Sequence, residues 1–154
     1  MNASMAATIA TWAHKGQLYG EAPYIDHCAD VARRVSMDLR AGVDAIVAAW
    51  IHDIIEDTEG ERQILAWEKL RDAGLNEEQR AAMEAITRQP GEEYPQFIAR
   101  LALNPVAALV KLHDLESNLA HAPPERLVRR YTIARQVMLE AVNRFEGRGA
   151  YARR

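Results

Sequence analysis

The chain has 154 residues, 49% of them apolar and 27% charged, which suits one soluble globular domain with a sizeable core. A formal net charge of −3 gives no basic footprint for nucleic acid, so a charged small substrate has to be attracted locally. One cysteine, Cys28, excludes an internal disulfide and fits a reducing cytosol, and no run of 18 apolar residues offers a membrane span.

The pattern is helical almost throughout, without period-2 alternation or an Asn-Gly hairpin turn. A first helix is expected from residue 4 to about 17. Its Trp12-Ala13-His14-Lys15 interrupts any signal-peptide apolar region. Gly16 and Gly20 loosen the chain before a second helix over 25–39, where Cys28, Val31, Val35 and Leu39 recur at helical steps and Cys28 is core filler. Gly42 precedes a third helix that carries Ala45-Ile46-Val47-Ala48-Ala49-Trp50-Ile51 and then His52-Asp53-Ile54-Ile55-Glu56-Asp57. A fourth, over 62–72, stops at Gly74. Asn76 caps a fifth, with Gln79 as its capping-box partner. Pro90-Gly91 ends that helix, and a short sixth fits 95–103. Asn104-Pro105 starts a seventh, over 105–119, and Pro123-Pro124 opens a last one to about 145. The reading is an all-α single domain of about eight helices over 1–146, with a Gly- and Arg-rich flexible tail over 147–154. Arg33-Arg34 and Arg129-Arg130 read as solvated faces, and Trp12, Trp50 and Trp67 as core.

Polar groups inside the apolar helices carry the chemistry. An uncharged run before His52 and Asp53 argues for a buried helix, where an imidazole and a carboxylate cost several kcal/mol unless paired or bound to a cation. On one helix, His52 stacks over Glu56 and Asp53 over Asp57, so ligands would hold a cation while the two acids handle water. Solvated acids at a helix end are the plainer alternative. His27 and Asp114 intrude on other apolar faces, each readable alone as a satisfied core group. Together the two imidazoles and two carboxylates suit Mn, Fe or Zn better than Ca. Lys111 fits a phosphate contact and a local ion pair equally well.

Four ordered segments carry a family resemblance: His14-Lys15-Gly16-Gln17 with Pro23-Tyr24-Ile25-Asp26-His27; Ala48 through Thr58; Ala85-Ile86-Thr87-Arg88; and Val110-Lys111-Leu112-His113-Asp114 with Asn118. Together they resemble the HD-domain metal phosphohydrolases, specifically the small RelA/SpoT-type (p)ppGpp hydrolases. The resemblance implies an HD-domain helical bundle with one Mn²⁺, or another divalent cation, held by His27, His52, Asp53 and Asp114. It implies Glu56 and Asp57 as the catalytic acids and Asn118 in the nucleoside pocket, with Arg88 in the segment where the family has a basic residue; Lys111 and Tyr19 are further candidate substrate contacts. The implied reaction removes the 3′-diphosphate of (p)ppGpp to give GDP or GTP and pyrophosphate, in a cytoplasmic enzyme whose partner is a nucleotide. The chain departs from the family at Gln17-Leu18-Tyr19-Gly20-Glu21, which lacks the usual Arg-Lys pair. Tyr19 could stack on a base there instead. Cys28 stands where the family commonly has Pro, and His113 through Asn118 lacks the usual Arg and His neighbours. The rival readings are an HD phosphohydrolase for another nucleotide phosphate and a non-catalytic nucleotide-binding module.

Overall fold

A computed structural model describes residues 1–151. Among them are eight helices: α1 Ala3–Ala13, α2 Tyr24–Met37, α3 Val43–Ile51, α4 Gly60–Asp72, α5 Glu77–Ile86, α6 Tyr94–Leu101, α7 Pro105–Ala120 and α8 Glu125–Gly147. The chain is an all-α single domain. Local signals account for several of the boundaries. The Asn76 side chain accepts from Gln79 N while Gln79 answers to the Asn76 N–H, closing the expected capping box. Asn104 accepts from Ala107 N, with Pro105 at the first turn of α7.

Helices α3 and α7 lie at the centre. Ala45, Ala48 and Ala49 of α3 and Ala107, Ala108, Leu109 and Leu112 of α7 join one buried cluster with α2, α5, α6 and α8. Small alanines on these faces let helix backbones approach closely. A second cluster holds α1 and α4 against Val47, Ile51, Ile54 and Ile55. Cys28 is fully buried, as expected of core filler. Trp67 departs from the expectation: it is 37% exposed on α4, because Ala66 and Leu70 take the inward face instead.

Two sequence expectations need correction. First, a short antiparallel hairpin, β1 Leu18–Tyr19 with β2 Ala22–Pro23, stands between α1 and α2. Gly20, at φ +62°, supplies the positive angle that a two-residue turn needs at its first central position. Second, α3 ends at Ile51, so His52–Asp57 do not continue a regular helix. The turn tightens where Ile54 N bonds to Ile51 O, three residues back, and the Thr58 hydroxyl takes up Ile54 O. At the other end, α8 runs through Gly147, and the Tyr151 hydroxyl donates to Pro105 O. Of the tail expected over 147–154, residues 152–154 lie outside the described residues.

Candidate metal centre

Three elements converge at the middle of the bundle: α2 brings His27, the turn after α3 brings His52 and Asp53, and α7 brings Asp114. His27 Nε2 lies 3.1 Å from Asp114 Oδ1 and 3.8 Å from Asp53 Oδ2. His52 Nε2 lies 2.9 Å from Asp53 Oδ2 and 3.7 Å from Asp114 Oδ1. Ligand atoms of His27, His52 and Asp53 all fall within 4.8 Å of one another, the spacing of donors around one ion. Two donors about 2.1 Å from a cation and at right angles are themselves about 3 Å apart.

The charge around His52 is of the sign that would draw a cation. His52 Nδ1 donates to Ala49 O at 2.8 Å, which leaves Nε2 as the nitrogen facing the carboxylates. That Nε2 is buried and has no hydrogen-bond partner despite the short approach of Asp53. Burial alone would strip the His52 proton, but the Asp53 and Asp114 charges outweigh it and raise the group to about 10. The Asp114 carboxyl is penalised by burial, yet Lys111 and the imidazoles hold it well below the usual range. Asp53 is shifted the same way, with His52 overcoming the cost of burial. The site thus gathers negative charge around nitrogens able to bind a metal. The donor set of two imidazoles and two carboxylates suits Mn²⁺, Fe²⁺ or Zn²⁺.

Further side chains surround the cluster. Lys111 Nζ lies 2.7 Å from Asp114 Oδ2 as an ion pair. Asn118 Nδ2 donates to Asp114 Oδ1 at 2.7 Å, and the Tyr19 hydroxyl donates to Asn118 Oδ1 at 2.6 Å. Tyr19 does not present a free face on both sides: its ring stacks on His27 at 4.8 Å. The Tyr24 hydroxyl, whose role the sequence does not show, donates to Asp53 Oδ2 at 2.6 Å. Its signal was there in the three-residue step from Tyr24 to His27 on one helix face. His14 also gains a place. Its ring stacks on Tyr24, its Nδ1 donates to Gln17 Oε1, and Gln17 in turn donates to Asp57 O.

The two candidate acids diverge, as neighbours on a helical turn point roughly 100° apart. Asp57 is half-buried near Tyr24 and His14, and its Oδ2 is buried without a hydrogen-bond partner. Burial and the Asp53 charge raise its carboxyl above the usual range. Glu56 is exposed, accepts from Arg88 N, and lines a cavity of about 600 Å³ with Gln63, Trp67, Thr87 and Arg88. Desolvation at the cavity wall is the main cause that raises its carboxyl too. Arg88 is turned into its own loop, with Nε donating to Glu92 O at 2.7 Å. The structure therefore brings His27, His52, Asp53, Asp114, Lys111, Asn118 and Tyr19 together, with Asp57 beside Tyr24, and sets Glu56 and Arg88 on an adjoining cavity.

No protein-family model matches the chain, and no curated protein matches it.

Proposed function

We propose that the protein is a metal-dependent phosphohydrolase of the HD type, acting on a nucleotide phosphate. The observation that carries the reading is the buried meeting of His27, His52, Asp53 and Asp114, with His52 Nε2 set between the carboxylates of Asp53 and Asp114. His27, His52, Asp53 and Asp114 would hold one divalent cation, Mn²⁺ first. Bound there, it supplies Lewis-acid polarisation of a phosphoryl oxygen.

The protein's own groups divide the remaining work. Asp57 Oδ2, buried and without a partner, takes a proton from the attacking water. Its raised carboxyl makes it a better proton acceptor than an ordinary surface aspartate. Glu56, on the adjoining cavity with Arg88, orients the departing phosphate side of the substrate. Lys111 balances Asp114. Tyr24 and Asn118 steer Asp53 and Asp114 by donating to one oxygen of each. Tyr19 covers His27 and forms one wall of the substrate side.

The first candidate substrate is (p)ppGpp, cleaved by water at the 3′ position to GDP or GTP and pyrophosphate. A second reading keeps the chemistry and changes the nucleotide. It is favoured by Tyr19 and Asn118, which spend their polar atoms on each other where the family would grip a purine and its phosphates. A non-catalytic nucleotide-binding module is the third reading, and the presence of both acids beside a complete ligand set counts against it. The test is product release from (p)ppGpp and from a panel of nucleotide mono- and diphosphates with Mn²⁺ present. Pyrophosphate from (p)ppGpp supports the first candidate. Turnover of other nucleotides alone moves the assignment to the second, and turnover of none overturns the hydrolase reading.

A further inference from the structure

A metal-binding histidine works only if the nitrogen turned toward the ion carries no proton, so something must hold the proton on the other nitrogen. For His52 this is Ala49 O, an acceptor that cannot do otherwise. For His27 the neighbour of Nδ1 is the Ser117 hydroxyl, at 3.5 Å and fully buried. A hydroxyl can donate or accept, so Ser117 alone leaves the choice open.

The choice is made one bond further out. Ser117 Oγ donates to Asp30 Oδ2 at 2.8 Å. Asp30 can only accept while ionised, and two guanidinium groups keep it so: Arg34 Nε lies 2.6 Å from Oδ2 and Arg33 2.7 Å from Oδ1. With its hydrogen committed to Asp30, Ser117 can offer His27 only a lone pair. His27 must then place its proton on Nδ1, which leaves Nε2 bare toward Asp114 Oδ1, 3.1 Å away. Two lone pairs at that distance are stable only with a positive charge between them.

We propose that Asp30 and Ser117 are positioning residues that decide which nitrogen of His27 carries the proton, and so keep the metal centre open to a cation. The inference rests on the metal reading above. It gives the Arg33, Arg34 and Asp30 cluster a purpose that a solvated helix face does not have. It also gives Ser117 a purpose as the link between α7 and α2.

The test uses the full chain, with Mn²⁺ and the diamagnetic Zn²⁺ as probes, and reads ion affinity beside thermal unfolding. Ser117→Ala and Asp30→Ala should each weaken ion binding by about 10-fold or more, the usual cost of losing an outer hydrogen-bond partner of a metal ligand. Asp30→Asn should stay within about threefold, because an amide oxygen can still accept from Ser117 while its nitrogen faces the exposed Arg33 side. Both Asp30 variants lose charge pairing with arginine, so a merely structural role would lower unfolding temperature and affinity together in the two. With Zn²⁺ bound, proton NMR should show a slowly exchanging His27 Nδ1–H in the unaltered chain and in Asp30→Asn, and lose it in Ser117→Ala. Equal affinities in all four proteins would overturn the relay while leaving the metal centre intact. An unaltered chain that takes up neither ion would overturn the metal reading itself.

Discussion

Lys111 and Asp114 sit three residues apart on α7 with Nζ and Oδ2 2.7 Å from each other, and Asp114 Oδ1 faces both His27 and His52. One oxygen of the aspartate is thus neutralised from within the helix, and the other is left for the centre. Burial alone would favour a neutral lysine, but Asp114 and Asp53 reverse this and raise the Lys111 ammonium above its ordinary range.

Replacing Lys111 by Met should therefore do more than remove a surface charge. It leaves Asp114 buried beside Asp53 without its cation, a loss of about 3 kcal/mol for a broken buried pair. A divalent ion in the centre can take over part of that neutralisation. Melting curves of Lys111→Met should show a lowered unfolding temperature that Mn²⁺ partly restores. If the variant melts like the unaltered chain with and without Mn²⁺, the pair contributes nothing to the charge balance of the centre.

Asp57 and Glu56, adjacent in sequence, should separate in kinetics because the turn sends them to different places. Asp57→Asn keeps the shape and removes the proton acceptor, so kcat should fall by about 100-fold or more on whichever nucleotide the panel identifies. Glu56→Gln keeps its oxygen for Arg88 N and should act mainly on KM. The measurement is kcat and KM for both variants at fixed Mn²⁺. Equal loss of kcat in the two would mean that the acids act as one unit.

Acid should loosen the fold in part through Asp38. Hydrogen bonds from the Arg40 guanidinium and backbone, and from His113 Nε2, hold the Asp38 carboxyl well below its usual range. A carboxyl with a folded value below its unfolded value of about 3.9 contributes stability above that unfolded value. The contribution is lost as pH falls through the folded value. Unfolding temperature should decline below about pH 5 in the unaltered chain, and Asp38→Asn should flatten that decline at a cost of about 1–2 kcal/mol near neutrality. An unchanged acid slope in the variant would place the sensitivity elsewhere.

The sequence made some of this architecture readable and hid the rest, for physical reasons. The capping box at Asn76 and the Asn104-Pro105 start are local chemistry, and both stand where they were expected. The four donors were legible because a polar group on an apolar helix has to be compensated. The end of α3 was not, since Ile54 and Ile55 continue a helical apolar pattern while long-range burial in the α1–α4 cluster decides where they point. The hairpin at Leu18–Pro23 was too short to show alternation. The sequence shows Lys111 three residues before Asp114 but not that their side chains meet. Arg33-Arg34 reads as a solvated face, and Asp30 and Ser117 carry no signal of their own, because their meeting needs α2 and α7 to pack first.

The most direct measurement is the metal content and affinity of the purified chain, by elemental analysis and calorimetric titration with Mn²⁺ and Zn²⁺. We expect one ion per chain, with binding lost in His52→Ala and Asp114→Ala variants that remain folded by circular dichroism. A folded protein that binds neither ion, or that binds one equally well without His52 and Asp114, would contradict the account.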